Sequence, residues 1–470
     1  MLTYTFSANK EIPLYRQLYS LIRTDILRHK LNPGDRLPSK RTFAKNLGIS
    51  VITIENAYSQ LDAEGYIYSI PQKGFFVSDI STDFAKYTTT ETSNIFVENT
   101  SSINNPVIAD FTGNKISSSC FPFSIWAKLT RNVINNRKDE LVTNSPCGGI
   151  YELRTAIKKH LKAFRNIDVS EEQIIVGAGT EYLYGLLLQL LGLEKKYGVE
   201  DPCYEKIHSI YNCHGVNCKY ISMDEYGVNP ESLTNEKIDI IHISPSHHYP
   251  TGLIMPISRR LELLKWANGS DKRYIIEDDY DSEFRMTGHT IPAMQNIDIN
   301  EKVIYINTFT KTLASTVRIS YMVLPPHLVH EFKNKMSFYS CTVSNFEQYT
   351  LANFIDGGYF EKHLNRMRNY YRKKRDYILK CIADSPLNSL ASVMEENSGL
   401  HFILKLEMNL SDKDFCKKTE CRGIRISALS SFYHNKSSNV GKQFVINYSS
   451  LTDEAITKAV DIIYEIIKTC

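Results

Sequence analysis

Of the 25 residues Ser81–Asn105, 14 are serine, threonine or asparagine, and few are aliphatic. Such a stretch has too little apolar surface to offset the entropy of ordering it, so it reads as a solvated linker. The chain must then fold as two separate cores. One occupies residues 1–78 and the other residues 110–470, with 79–109 as a flexible connection. A length of 470 residues agrees with two or three domains. With 42% hydrophobic and 23% charged residues, the chain as a whole has the composition of core-forming proteins rather than disordered ones.

Charge sharpens the division. The whole chain carries 55 Lys and Arg against 52 Asp and Glu, too balanced for a uniformly basic nucleic-acid coat. Residues 1–78 alone hold 10 against 6, leaving 45 against 46 for the rest. The positive surplus is therefore local. The longest apolar run, Tyr182–Leu193, includes Gln189 and is too short to span a bilayer. No basic segment leads into an apolar one at the N-terminus, so a soluble cytoplasmic protein is expected, its ten scattered cysteines reduced.

In the first segment, Leu14, Leu18, Leu21, Ile22 and Ile26 recur at helical spacing and predict a helix over Pro13–Arg28. Ser39 can cap a short helix that buries Phe43 and Leu47 and stops at Gly48. Ser50 can cap another, with Ile54, Ala57, Tyr58 and Leu61 inward and Gly65 at its end. Two short helices joined by a glycine-containing turn make a helix-turn-helix. Tyr66–Ile70 and Gly74–Val77 then read as a two-stranded wing with Lys73 at its tip. The motif LPSKRTFAKNLGISVITIENAYSQLDAEGYI resembles the DNA-binding domain of GntR-type regulators over Pro13–Ser78. The resemblance implies that the second short helix enters the major groove and the wing reaches the minor groove. Ser39 and Arg41 would contact backbone or base edges, Ser50 and Thr53 would face the major groove, and Lys73 and Gly74 would form the wing contact. Val51 departs from the arginine usual in that family and suits a thymine methyl.

Three places in the second segment suit one ligand. The run Gln173–Ala178 leads through Gly179-Thr180-Glu181 into a helix Tyr182–Leu191, a junction that offers N–H groups to a phosphate but by itself is a weak signal. Tyr274–Ile276 reads as a strand followed by Glu277-Asp278-Asp279-Tyr280-Asp281. Those carboxylates suit a metal cluster, a solvated acidic loop, or a pair holding a pyridinium nitrogen and a phenolic oxygen. Val303–Ile306 precedes Thr308, Thr310 and Lys311, with Arg318 seven residues on, an arrangement suited to a Schiff base beside a phosphate.

Together with SPCGGIYELRTAIKKHL, SPSHHYPTGLIMPISRR and HLNRMRNYYRKKRDYIL, these residues resemble the fold-type I pyridoxal-phosphate aminotransferases from Asp110 to Cys470. The resemblance implies an α/β fold with a mostly parallel central sheet and a small C-terminal lobe. Lys311 would form an aldimine with pyridoxal 5'-phosphate, Asp278 would meet the ring nitrogen and Tyr280 the ring hydroxyl. Gly179, Thr180, Glu181, Thr308, Thr310 and Arg318 would surround the phosphate, and Tyr204 would stack on the ring. A GntR-like winged helix-turn-helix, a polar linker and this fold in that order resemble the MocR/GabR regulators. That implies operator DNA, pyridoxal phosphate and a head-to-tail homodimer as partners.

The aminotransferase part departs from working transaminases. Tyr249 replaces the asparagine before Pro250-Thr251-Gly252, behind His247 and His248, and GKQFVINYSS lacks the arginine that clamps a substrate carboxylate. Lys206 and Arg425 are the candidates to replace it at an amino-acid or amine effector. The expected function is a sensor whose effector is pyridoxal phosphate itself, or else an amine or amino acid. The alternative is an active aminotransferase with a DNA-binding appendage. Cys203, His208, Cys213, His214 and Cys218 match no paired-ligand spacing, so no metal is expected. The basic run Arg366–Arg375 reads as a solvated helix face, with an auxiliary DNA contact as the other option.

Overall fold

The computed structural model describes residues 3–6, 12–80, 107–113, 116, 120–285, 291–396, 399–435 and 440–469. Most of the expected linker lies outside them. The chain divides into two compact units, Met1–Ser102 and Ile103–Cys470.

In the first unit, helix α1 (Leu14–Leu27) buries Leu18, Ile22 and Ile26 along one face. Helix α2 (Lys40–Leu47) starts at Ser39, whose side chain accepts from the Thr42 N–H at 3.2 Å, and stops at Gly48 in a left-handed conformation with φ 66°. Helix α3 (Val51–Ala63) starts at Ser50, which accepts from the Thr53 N–H at 3.1 Å. Strands β1 (Ile67–Ile70) and β2 (Gly74–Val77) pair antiparallel around the Lys73 turn. Phe43, Ile54, Tyr58, Leu61, Ile67 and Val77 close the core against α1. Replacing Ser50 by alanine orphans an N–H at the start of α3. Denaturant unfolding should show a loss of about 1 kcal/mol for this unit.

The second unit is built on strands β3 (Ala109–Asp110), β4 (Ile174–Gly177), β5 (Lys196–Asp201), β6 (Asn217–Asp224), β7 (Gly227–Val228), β8 (Ile240–Ile243), β9 (Tyr274–Asp279), β10 (Val303–Thr308) and β11 (Ser320–Val323). Eight of them form one sheet in the order β4-β11-β10-β9-β8-β5-β6-β7. The run β10-β9-β8-β5-β6 is parallel, and β11 is antiparallel to both neighbours. Every residue of β4 and of β8 through β11 is buried, as strands covered on both faces require. The pleat separates those faces. Tyr305, Tyr321 and Val323 pack with Leu153, Ile157 and Leu351 on one side. Ile304, Ile306 and Met322 pack with Leu183, Leu187 and Phe332 on the other.

A smaller lobe follows, with β12 (Ala391–Met394), β13 (His401–Leu406), β14 (Ile424–Arg425), β15 (Ser427–Ala428) and β16 (Gln443–Asn447). Four pair antiparallel as β12-β13-β16-β15, while β14 pairs parallel with β3. This lobe packs on the helices Tyr359–Ala383 and Asp453–Lys468 through Met367, Tyr371, Ile456 and Ile463. Among the described residues, no helix is long and apolar enough to cross a membrane.

Candidate functional site

The C-terminal ends of β5, β9 and β10 and the start of helix Thr180–Leu191 meet at a cleft of about 340 Å³. That volume lies in the range of small-molecule sites. Glu277, Asp278 and Asp279 of the acidic run belong to β9, which extends to Asp279 rather than ending at Ile276. They form neither a solvated loop nor a metal cluster among the described residues, because the pleat sends successive carboxylates to opposite faces. Asp278 lines the cleft. Its Oδ2 accepts from the Tyr184 hydroxyl at 2.5 Å and lies 3.4 Å from His242 Nε2, while its Oδ1 is buried with no partner. Asp279 points the other way, 2.8 Å from the Arg165 guanidinium and 2.5 Å from the Tyr305 hydroxyl that donates to it. Glu277 accepts from the Met294 and Gln295 N–H groups at 2.8 and 3.0 Å. Burial, then the charge of Asp279, pushes its carboxyl up to about 7.

Lys311 stands just past β10 on the cleft wall. Burial lowers the pKa of its amine against the opposing pull of Asp281 and Asp278, which leaves it more available as a nucleophile than an exposed lysine. Thr308 and Thr310 line the same wall and hydrogen-bond each other at 2.9 Å, with the buried Ser320 donating to Thr308 at 2.8 Å. Across the cleft, Gly179 has φ 94°, and a Cβ there would fall 2.6 Å from Arg318 Nη2. The guanidinium thus lies against Gly179, the residue that precedes helix Thr180–Leu191. Replacing Gly179 by alanine would strain the backbone and displace Arg318, so anion binding measured by calorimetry should weaken by at least about tenfold.

Glu181 departs from the expected arrangement. Its carboxylate pairs with Arg318 at 3.1 Å and with Lys206, and these cations, Lys206 foremost, hold it below the ordinary carboxylate range. It is an anion and offers a phosphate no donor from its side chain. Lys206 lines the cleft, but Arg425 does not. Arg425 sits on β14 opposite Asp110 of β3, outside that lining. Tyr204 meets Tyr249 edge to face at 6.0 Å. The Tyr280 hydroxyl lies 3.2 Å from His247 Nδ1, which is 2.8 Å from Asp281.

Several cleft residues were not foreseen: Tyr184, Glu200, His242, Ser244 and Asn447. Tyr184 lies one turn beyond Thr180, so helical spacing alone places both on one face. His242 interrupts the apolar strand Ile240–Ile243, where an imidazole needs a polar partner. Glu200 accepts from the Ser244 N–H at 2.9 Å and faces His248 at 3.4 Å. Burial pushes the Glu200 carboxyl up to about 8 and His248 down to about 3, so burial favours the neutral form of both. From about pH 4.5 to 8, folded Glu200 keeps a proton that the unfolded chain releases, and rising pH there favours unfolding. In Glu200→Gln, the melting temperature should fall less steeply between pH 5 and 8 than in the parent.

On the first unit, Ser39 and Ser50 use their hydroxyls as helix caps, Arg41 is exposed on α2, and Thr53 is half-buried in the first turn of α3. Val51 and Ile52 stand 41% and 68% exposed at the start of α3, apolar groups with no core to fill. Lys73 is exposed at the wing tip beside Gly74, whose φ is 110°. The Arg36 side chain lies against Gly74 and adds a cation that the motif reading missed.

Residues 14–77 match the family described as bacterial regulatory proteins, gntR family. The HTH-type transcriptional regulator YdeL of Bacillus subtilis is 38% identical, over 90% of this chain and 91% of its own. The probable rhizopine catabolism regulatory protein MocR of Rhizobium meliloti is 30% identical, over 90% and 88%. This chain belongs to the MocR type of helix-turn-helix transcriptional regulators. Another relative is PdxR of Corynebacterium glutamicum, an HTH-type pyridoxine biosynthesis transcriptional regulator, 29% identical over 91% of this chain and 90% of its own. A kynurenine aminotransferase of Pyrococcus horikoshii superposes with a TM-score of 0.68 at 23% identity, covering 78% of this chain and 92% of that one. The large unit of this MocR-type regulator therefore has the aminotransferase fold, joined to a GntR-type reader.

Proposed function

We propose that this regulator binds pyridoxal 5'-phosphate in the cleft and that occupancy changes how its winged helix engages operator DNA. Residues 1–78 act as the reader and 110–470 as the effector domain. The observation that carries the proposal is the partnerless Asp278 Oδ1, buried in the same cleft as the Lys311 amine. A buried carboxylate oxygen without a donor is costly, and a protonated ring nitrogen supplies one. Tyr280 would face the ring hydroxyl and Tyr204 the ring face. Thr180, Thr308, Thr310, Arg318 and the N–H groups beyond Gly179 would hold the phosphate. When bound, the group supplies an aldehyde that amines join covalently. Lys311 supplies the amine, and Asp278 holds the nitrogen proton through a charge-assisted hydrogen bond.

The effector we favour is pyridoxal phosphate itself. Among the described residues lining the cleft, Arg318 is the sole arginine and is already paired with Glu181. A bidentate clamp for an amino-acid carboxylate is thus missing from the lining, and PdxR is named for pyridoxine biosynthesis. Two readers, one per subunit of a homodimer, would address paired half-sites. Titrating the purified chain with pyridoxal phosphate should produce a saturable visible absorbance band. Candidate amines and amino acids at equal concentration should leave both the band and operator affinity unchanged. A sustained transamination rate of ordinary enzymatic size would instead favour the aminotransferase reading.

A further inference from the structure

We propose that Glu181 is a built-in competitor of phosphate, which keeps pyridoxal phosphate binding weak enough to be reversible. The proposal deepens the cofactor reading and rests on it. Glu181 occupies the first turn of helix Thr180–Leu191 and lines the cleft. Its two oxygens take the two cations of that wall, Lys206 on Oε1 and Arg318 on Oε2 at 3.1 Å. Gly179 lets Arg318 lie against the helix start, since a Cβ there would fall 2.6 Å from its Nη2. Phosphate and carboxylate therefore contend for one guanidinium held in one place.

Charge counting gives the direction. A phosphate ester carries about −1.5 to −2 near neutral pH. It meets two cations and one fixed anion here, a net single positive charge, where a neutral side chain at 181 would leave two. The side chains of Glu181, Lys206 and Arg318 are 39%, 48% and 46% exposed, so their mutual pairing is of the screened, weak kind that a stronger anion opens. A catalyst gains from permanent cofactor retention, but a sensor must release its ligand when the concentration falls. Glu181 supplies that release without touching the ring or Lys311.

The test is a set of binding isotherms on the full chain and on Glu181→Gln, with pyridoxal phosphate and with pyridoxal, which lacks the phosphate. Glu181→Gln should bind pyridoxal phosphate about tenfold tighter. Its affinity for pyridoxal should stay within about twofold of the parent, since the charge change acts on the phosphate. Lys206→Ala, which frees Glu181 to repel, should weaken pyridoxal phosphate and leave pyridoxal alone. Equal or weaker pyridoxal phosphate binding in Glu181→Gln, or an equal gain for pyridoxal, overturns the competitor role while leaving the cofactor reading intact. A parent that binds neither compound overturns both.

Discussion

Replacing Lys311 by alanine should abolish the visible band of the pyridoxal phosphate complex and weaken the compound's binding by at least about a hundredfold, or roughly 2.7 kcal/mol. The reason is the position of the amine. Lys311 is the lysine on the cleft wall that burial pushes toward the neutral form, and Asp281 and Asp278 keep that shift from running further. Lys206, the other lysine lining the cleft, is ion-paired with Glu181 and half exposed. Lys206→Ala should therefore retain the band. Operator binding without pyridoxal phosphate should be unchanged in Lys311→Ala, because the reader is a separate unit with its own core. The response of operator binding to the compound should vanish. Absorbance titration and a gel-shift series on the same preparations check both.

The largest stability effect should come from Arg165. Its guanidinium and the Asp279 carboxylate are each 2% exposed and 2.8 Å apart, and Arg165 also donates to the Ile291 carbonyl at 2.5 Å and Ser246 Oγ at 3.2 Å. Arg165→Ala leaves the buried Asp279 carboxyl without its cation, with the Tyr305 and Ser282 hydroxyls donating to it. Burial already raises the Asp279 pKa, and Arg165 is the first influence opposing that rise. Breaking one side of such a pair costs about 3–5 kcal/mol. Guanidinium unfolding should show that loss in the transition of the large unit and no change in that of the winged helix. Asp279 shares β9 with Asp278, so Arg165→Ala should also loosen the cleft and raise the dissociation constant for pyridoxal phosphate.

The winged helix was legible almost to the residue, because its determinants are local. Ser39 and Ser50 cap within three residues, Gly48 turns within one, and the apolar face of α3 repeats at helical spacing. The large unit was legible in its motifs and less so in its geometry. The Glu277–Asp279 run was visible as a ligand site, but its three roles follow only once β9 extends through all of it and the pleat alternates them. Arg165 gave no signal, since its partner is distant in sequence and a cationic position near a helix end ordinarily faces solvent. The basic helix misled for a related reason. Arg366 and Arg368 donate to the Cys120 and Glu283 carbonyls at 2.8 and 2.6 Å, Lys374 donates to the Leu451 carbonyl, and Lys374 and Arg375 are buried. Long cationic stems reach backbone oxygens across the lobe, so much of this face is used for packing rather than left in water. Glu181 was recognised as part of the site, but as a holder of the cofactor. The sequence order did not show that Lys206 and Arg318 both converge on its carboxylate.

In the proposed regulator, cleft occupancy and operator binding are linked. By reciprocity, a ligand that changes operator affinity must have its own affinity changed by operator to the same factor. The direct measurement is the pyridoxal phosphate isotherm of the full chain, recorded with and without saturating operator DNA. The two midpoints should differ by at least about fivefold, the lower edge of ordinary allosteric coupling, with the difference lost in Lys311→Ala. Superimposable isotherms would contradict the linkage.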